Sequence, residues 1–177
     1  MPVVSAGILL FRLHEGAVEV FIAHMGGPFW AKKDDGGWSV PKGEYDPEAE
    51  KALDAALREF QEEIGSPPPD GEYQDLGVFR QPSGKLVAVY ASEAVFNPSE
   101  IVSNTFEMEW PRGSGRTQTF PEIDRAEWLR VSTARRKLVK GQLPVLDALM
   151  NWLQSHNIQV TEGSDAEPKD IAQASLF

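Results

Sequence analysis

Residues 58–65 read Arg58-Glu59-Phe60-Gln61-Glu62-Glu63-Ile64-Gly65, and Pro41-Lys42-Gly43 and Glu50 stand upstream of them. Glu59, Glu62 and Glu63 are spaced i, i+3 and i+4, so a helix places all three carboxylates on one face. Like charges so placed repel by roughly 0.2–0.5 kcal/mol per pair on an exposed helix. A divalent cation would offset that repulsion, and an all-carboxylate set suits a hard ion such as Mg²⁺ or Mn²⁺.

The flanks supply the frame. Asp46-Pro47-Glu48 carries a capping Asp, a Pro suited to the first helical position and an acid in the first turn, which predicts a helix from Asp46 to Ile64. Gly65 stops it ahead of Pro67-Pro68-Pro69. Leu53, Leu57, Phe60 and Ile64 form a stripe that should face a core, with the acids to one side of it. Ala55 and Ala56, one turn before the acids, leave room for a close-packed loop or ligand.

Ahead of the helix, residues 3–13 read as a buried strand and 17–24 as its hairpin return across Glu15-Gly16. Residues 25–37 are a glycine-rich loop that carries Phe29, Trp30, Lys32 and Lys33. Residues 38–40 are a short extended piece stopped by Pro41. Behind the helix, 76–81 and 85–96 read as strands, 106–110 alternates as a strand should, and 126–131 is a short strand. Arg112 and Arg116 sit in a basic, glycine-rich loop between them. Two helices, 133–139 and 143–156, close the pattern. The class is mixed α and β in one layered domain, residues 1–156. Residues 157–177 turn polar and acidic and are expected to be a disordered tail.

Composition narrows the chemistry. There is no cysteine among the 177 residues, which excludes disulfides, thiolate catalysis and cysteine-held zinc. The net charge of -10 argues against a nucleic-acid polymer or an anionic membrane as partner. A phosphorylated small molecule stays open, because a bound metal reverses the local sign. No apolar run reaches membrane-spanning length and the start lacks a basic segment, so a cytoplasmic location is expected. His14, His24 and His156 are scattered and read as surface or ordinary core residues.

From Glu50 through Arg58 to Gly65 the sequence resembles the signature of the Nudix family, G-x5-E-x7-R-E-U-x-E-E-x-G-U with U a bulky apolar residue. Two positions depart: six residues rather than five separate Gly43 from Glu50, and Ser66 replaces the final apolar residue. The segments around 26–34, 103–111 and 120–126 are similar to a bacterial branch described as predicted nucleoside triphosphate pyrophosphohydrolases, a likeness that covers roughly residues 3–155. The resemblance implies an α/β/α sandwich with a mixed central sheet and a Mg²⁺- or Mn²⁺-dependent pyrophosphohydrolase. Glu59, Glu62, Glu63 and the Gly43 carbonyl would hold the metal. Glu59 would double as candidate base, oriented by Arg58 and Glu50. A further acid from a late loop is expected, Glu122 first, with Glu107 and Glu109 behind it. Homodimers are common in the family.

The surroundings leave the substrate open. Lys42, Lys32 and Lys33 could meet phosphate or simply solubilise the surface. Arg112 and Arg116 could clamp a phosphate bidentately. Trp30, with Phe29 and Trp110, could stack on a base or pack at a rim. Nucleoside triphosphates, dinucleoside polyphosphates and diphosphate conjugates such as nucleotide sugars or diphosphoinositols all remain open. A Nudix-fold ligand sensor without turnover is the reading from another class.

Overall fold

The computed structural model describes residues 3–164. Its frame is a seven-stranded mixed sheet in which β1 (Val4–His14) and β2 (Ala17–Met25) form the expected hairpin. They pair antiparallel only from Leu10↔Phe21 to His14↔Ala17. Beyond that the two strands part, and the Trp38–Glu44 segment fills the fork. β3 (Trp38–Ser39) pairs with the far half of β2, and β4 (Lys42–Glu44) with the near half of β1. Between them the Pro41 carbonyl accepts the Ile8 amide at 3.1 Å.

On the other edge of β1 lies β6 (Leu86–Glu93), parallel to it, and β5 (Gln74–Arg80) follows antiparallel. β9 (Ile123–Arg130) runs antiparallel along the outer edge of β2. The ladder slips once there: His24 faces Arg125 and Met25 faces Ile123, leaving Asp124 without a partner as a β-bulge.

β1 is apolar at almost every position because both of its faces are covered. Ala6, Ile8 and Leu10 pack with Ala55, Ala56, Phe60 and Ile64 of α1 (Ala52–Ile64). Leu9 and Phe11 point the other way, into a core closed by α2 (Val131–Lys137) and α3 (Leu143–Ser155). The architecture is thus helix on both sides of a mixed sheet. β7 (Thr105–Glu109) and β8 (Thr117–Pro121) form a separate two-stranded hairpin. Among the described residues no helix is long and apolar enough to cross a membrane.

Two sequence expectations are corrected. The helix begins at Ala52, with Lys51 as its extended N-cap, and not at Asp46. Asp46 instead closes a turn of its own: its carbonyl accepts the Ala49 and Glu50 amides and its carboxylate accepts the Glu48 amide. That turn absorbs the additional residue between Gly43 and Glu50. The second correction concerns residues 157–164, expected to be part of a disordered tail. They dock on the sheet: Val18 N–H donates to the Thr161 carbonyl at 2.9 Å, Thr161 N–H to the Gly16 carbonyl at 3.0 Å, and Arg135 pairs with Glu162. Ile158 and Val160 pack against the α3 side of the core. The rest of the expected tail lies outside the described residues.

Candidate active site

Helix α1 arrays its acids around one arginine. Arg58 grips Glu50 with a fork, Nε to Oε2 at 3.0 Å and Nη2 to Oε1 at 2.8 Å. Its remaining nitrogen, Nη1, donates to Glu59 at 2.8 Å and to Glu62 at 3.2 Å. A planar guanidinium can serve three carboxylates in this way because its five donors diverge in one plane. The contacts hold the Glu50 carboxyl below its ordinary range and raise Arg58 above its own.

Glu59 lies against β4 with little exposure, 9%. The approach needs a glycine: a β-carbon built on Gly43 would lie 1.8 Å from Glu59 Oε2. Burial raises the Glu59 carboxyl, against the lowering effect of Arg58. Glu63 meets the neighbouring residue of β4, where the Lys42 amide donates to its Oε2 at 3.2 Å. Burial pushes its carboxyl up to about 8, Lys42 opposes this, and repulsion from Glu122 and Glu59 adds to it.

Glu122 reaches this cluster through backbone bonds. The segment before β7 runs along the end of α1, where Val102 N–H donates to the Ile64 carbonyl and Asn104 N–H to the Glu62 carbonyl, both at 2.9 Å. Glu122 N–H in turn donates to the Asn104 carbonyl at 2.8 Å. The late acid is therefore hung from the last turn of the helix that carries the other acids.

A pocket of about 440 Å³ opens beside them. Its lining includes the polar Lys42, Glu63, Glu122 and Ser39 and the apolar Phe29, Trp30, Phe106 and Met108. Gly26 and Gly27 let the wall close: a β-carbon on Gly26 would strike the Pro121 carbonyl at 2.1 Å, and one on Gly27 the Phe106 ring at 2.7 Å.

Of the residues proposed from sequence, Lys42, Trp30, Glu63 and Glu122 share this pocket. Arg58, Glu50, Glu59, Glu62 and Gly43 join them through the contacts above. Lys32, Lys33, Arg112 and Arg116 do not line it. Lys33 Nζ stands 5.3 Å from the Trp30 ring centre, and the Arg112 guanidinium lies 4.7 Å above Phe29, whose ring packs edge-on to Trp110. Arg116 is exposed on the hairpin loop. Glu109 accepts the Gly113 amide of its own hairpin, and Glu107 is exposed. Phe106 and Met108 are wall residues that the sequence reading passed over. Their alternation with Glu107 and Glu109 marked one face of β7 as apolar, without saying what it covers.

Chemically, the acids fit a hard divalent ion. They offer oxygen donors only, two of them are raised by burial, and the lack of a side chain at Gly43 lets the Glu59 carboxylate lie directly against β4. In this arrangement no three acids or imidazoles among the described residues come close enough together to hold one ion. Arg58 draws Glu59 and Glu62 toward itself while Glu63 faces Lys42.

Comparison with known proteins decides the family. The family model described as the NUDIX domain matches residues 1–149. The chain belongs to the Nudix hydrolase family. Searching curated proteins finds no matching sequence. Among solved structures, this Nudix chain is similar to an Ap4A hydrolase from C. elegans in a binary complex, at 19% identity and a TM-score of 0.60, covering 86% of this chain and 98% of that one. It is similar to the NUDIX domain of Shewanella oneidensis NrtR complexed with ADP ribose, at 15% identity and a TM-score of 0.59, covering 86% and 89%. A MutT/nudix family protein from Enterococcus faecalis follows at 16% identity and a TM-score of 0.56, covering 88% of this chain and 63% of that one. At these identities the likeness establishes the mixed α/β/α fold.

Proposed function

We propose that the protein is a divalent-metal-dependent hydrolase that cleaves the pyrophosphate linkage of a nucleoside diphosphate derivative, such as a nucleoside triphosphate or dinucleoside polyphosphate. One observation carries the reading: a single pocket is lined both by Glu63 and Glu122 with Lys42 and by the aromatic and thioether side chains of Trp30, Phe106 and Met108. A diphosphate and a flat base differ in just this way. An inositol is polar on every edge and gains little from such a wall, which favours a nucleoside over a diphosphoinositol. Ap4A and ADP ribose, named for two of the structural neighbours, are both adenosine compounds joined through phosphates.

Glu59, Glu62, Glu63 and the Gly43 carbonyl are the groups that would hold Mg²⁺ or Mn²⁺. When bound, the ion neutralises phosphate oxygens and makes water more acidic. The chain's own residues do the rest. Arg58, locked by Glu50, orients Glu59 and Glu62. Glu59 and Glu122 are the candidate bases for the attacking water, since each is a carboxylate beside the cluster with few fixed partners. Lys42 places a cation in the pocket, where phosphate charge must be balanced. Trp30, Phe106 and Met108 exclude water from the base. A homodimer belongs to the same proposal on the strength of the family resemblance, and a cytoplasmic location is proposed beside it.

A broad panel of nucleoside triphosphates, dinucleoside polyphosphates, ADP ribose, nucleotide sugars and diphosphoinositols, assayed with Mg²⁺ and Mn²⁺, tests this reading. Product masses identify the bond cleaved. Adenosine-containing substrates should lead, and Glu59→Gln should reduce turnover by roughly 10²–10⁴-fold without loss of fold. Tight binding of nucleotides with no product under any metal would instead establish a ligand-sensing module.

A further inference from the structure

His24 is buried to 1% exposure at the end of β2, and both of its ring nitrogens are engaged. Nδ1 lies 2.8 Å from Asp124 Oδ1 and Nε2 lies 2.6 Å from the Lys33 carbonyl. These partners belong to two segments that share nothing in sequence. Lys33 sits in the loop 26–37 that carries Phe29 and Trp30. Asp124 is the bulged residue of β9, two positions after Glu122.

The bulge explains why the pair exists. Without it, the residues before Arg125 would continue the β2 ladder; with it, Asp124 leaves the ladder toward His24 and the chain is re-aimed so that Ile123 and Glu122 line the pocket. The loop needs such a tie. Residues 31–35 are all exposed, so apolar burial does little to fix them. Their order comes from polar bonds: Met25 N–H to the Gly37 carbonyl at 3.0 Å, Gly36 N–H to the Arg136 carbonyl at 3.2 Å, Trp38 and Lys137 to the Asp34 carboxylate, Arg136 to Asp35, and His24 to the Lys33 carbonyl. Gly37 has to be small here, since its β-carbon would lie 2.3 Å from the Lys33 carbonyl and 3.3 Å from His24 Nε2. A further bond, Gly26 N–H to the Glu122 carbonyl at 2.8 Å, joins loop and acid directly at the pocket floor.

We infer that His24, with Asp124, is a positioning residue: it braces the aromatic loop against the Glu122 segment, so that the base wall and the late acid meet the substrate as one unit. The functional half of this statement rests on the hydrolase reading above. A purely structural histidine would support the whole fold evenly. A brace acts on two segments and spares the rest.

Amide exchange followed by mass spectrometry on the metal-free protein separates the two roles. In His24→Phe and in Asp124→Ala, peptides spanning 25–37 and 121–125 should both exchange roughly five- to tenfold faster, as expected for losing about one hydrogen bond of local stability. Peptides from α1 and α3 should keep their rates. Asp124→Asn, which retains an acceptor for Nδ1, should restore the wild-type pattern. On the best substrate of the panel, the two disruptive variants should raise KM roughly tenfold and lower kcat as well, because the aromatic wall and Glu122 lose their placement together. Faster exchange throughout the chain, a change in only one of the two segments, or a lowered Tm with unaltered KM would overturn the inference. If the wild-type protein hydrolyses nothing on the panel, the activity reading fails while the exchange pattern still decides the brace. If His24→Phe does not fold, the Asp124 pair decides it.

Discussion

The Glu59 carboxylate fills the space where residue 43 would carry a side chain: a β-carbon on Gly43 would fall 1.8 Å from Glu59 Oε2 and 2.0 Å from its carboxyl carbon. The carboxylate lies against the backbone of β4, and Arg58 holds it from the other side. Gly43 is therefore a requirement of the site's shape rather than of a turn.

Gly43→Ala should accordingly eject Glu59 from its seat. A displacement of about 1 Å at a reacting group can cost about 10²-fold, so kcat should fall at least that far. Tm should fall modestly, because the displaced carboxylate moves toward solvent. Steady-state kinetics beside a thermal melt checks both; full activity in the variant would show that Glu59 does not need its present position.

Arg58→Lys removes the fork while keeping the charge. A lysine cannot serve Glu50 bidentately and reach Glu59 and Glu62 as well. Loss of such an orienting partner typically lowers metal affinity or activity by roughly 10–100-fold. Titration of Mg²⁺ against turnover should show the loss mainly in the metal concentration required.

Glu63 makes the metal-free protein sensitive to pH. Burial lifts its carboxyl to about 8 from the ordinary 4.5, with Glu122 and Glu59 adding to the rise. Between those values the folded chain keeps a proton that the unfolded chain has released. Stability is full below the unfolded value and is lost as pH rises through the folded one. Tm of the metal-free protein should therefore decline from about pH 5 to about pH 8.5, and Glu63→Gln should flatten the decline. Adding Mg²⁺ near neutral pH should raise Tm and release protons into a weakly buffered solution, since ligating carboxylates must be ionised.

Trp30→Ala tests the base wall. Stacking of an aromatic side chain on a base is worth about 1–3 kcal/mol, and each 1.4 kcal/mol is tenfold in affinity, so KM for a nucleotide substrate should rise between roughly fivefold and a hundredfold. A substrate without a base should be affected little. Equal losses on both kinds would place Trp30 outside the base contact.

What the sequence showed plainly was what repeats locally. β1 reads as buried because its run from Ala6 to Phe11 carries no polar side chain, and α1 stops at Gly65, whose φ of 86° suits glycine. The spacing of Glu59, Glu62 and Glu63 needs only a helix. β8 went unread because Thr117, Gln118 and Thr119 are all exposed, so burial leaves no pattern there. Asp46 misled because its capping chemistry is real but serves an isolated turn. Residues 157–164 look like solvated chain, yet backbone bonds to Gly16 and Val18, the Arg135–Glu162 pair and the packing of Ile158 and Val160 fix them, which composition does not reveal. His24 and Asp124 stand a hundred positions apart, and only the bulge in β9 brings them together.

The fork between β1 and β2 has a consequence for how the length of this chain can vary. The Trp38–Glu44 segment is pinned on two strands and presents Ser39, Lys42 and Gly43 to the acids. One residue added there would reverse which side chains face the site, since neighbours along a strand point to opposite faces. The turn that follows, from Tyr45 to Lys51, is under no such rule, and here it already carries one residue more than the family signature without moving Gly43 from Glu59. Insertions and deletions among related chains should therefore gather in the second stretch and stop sharply at the first.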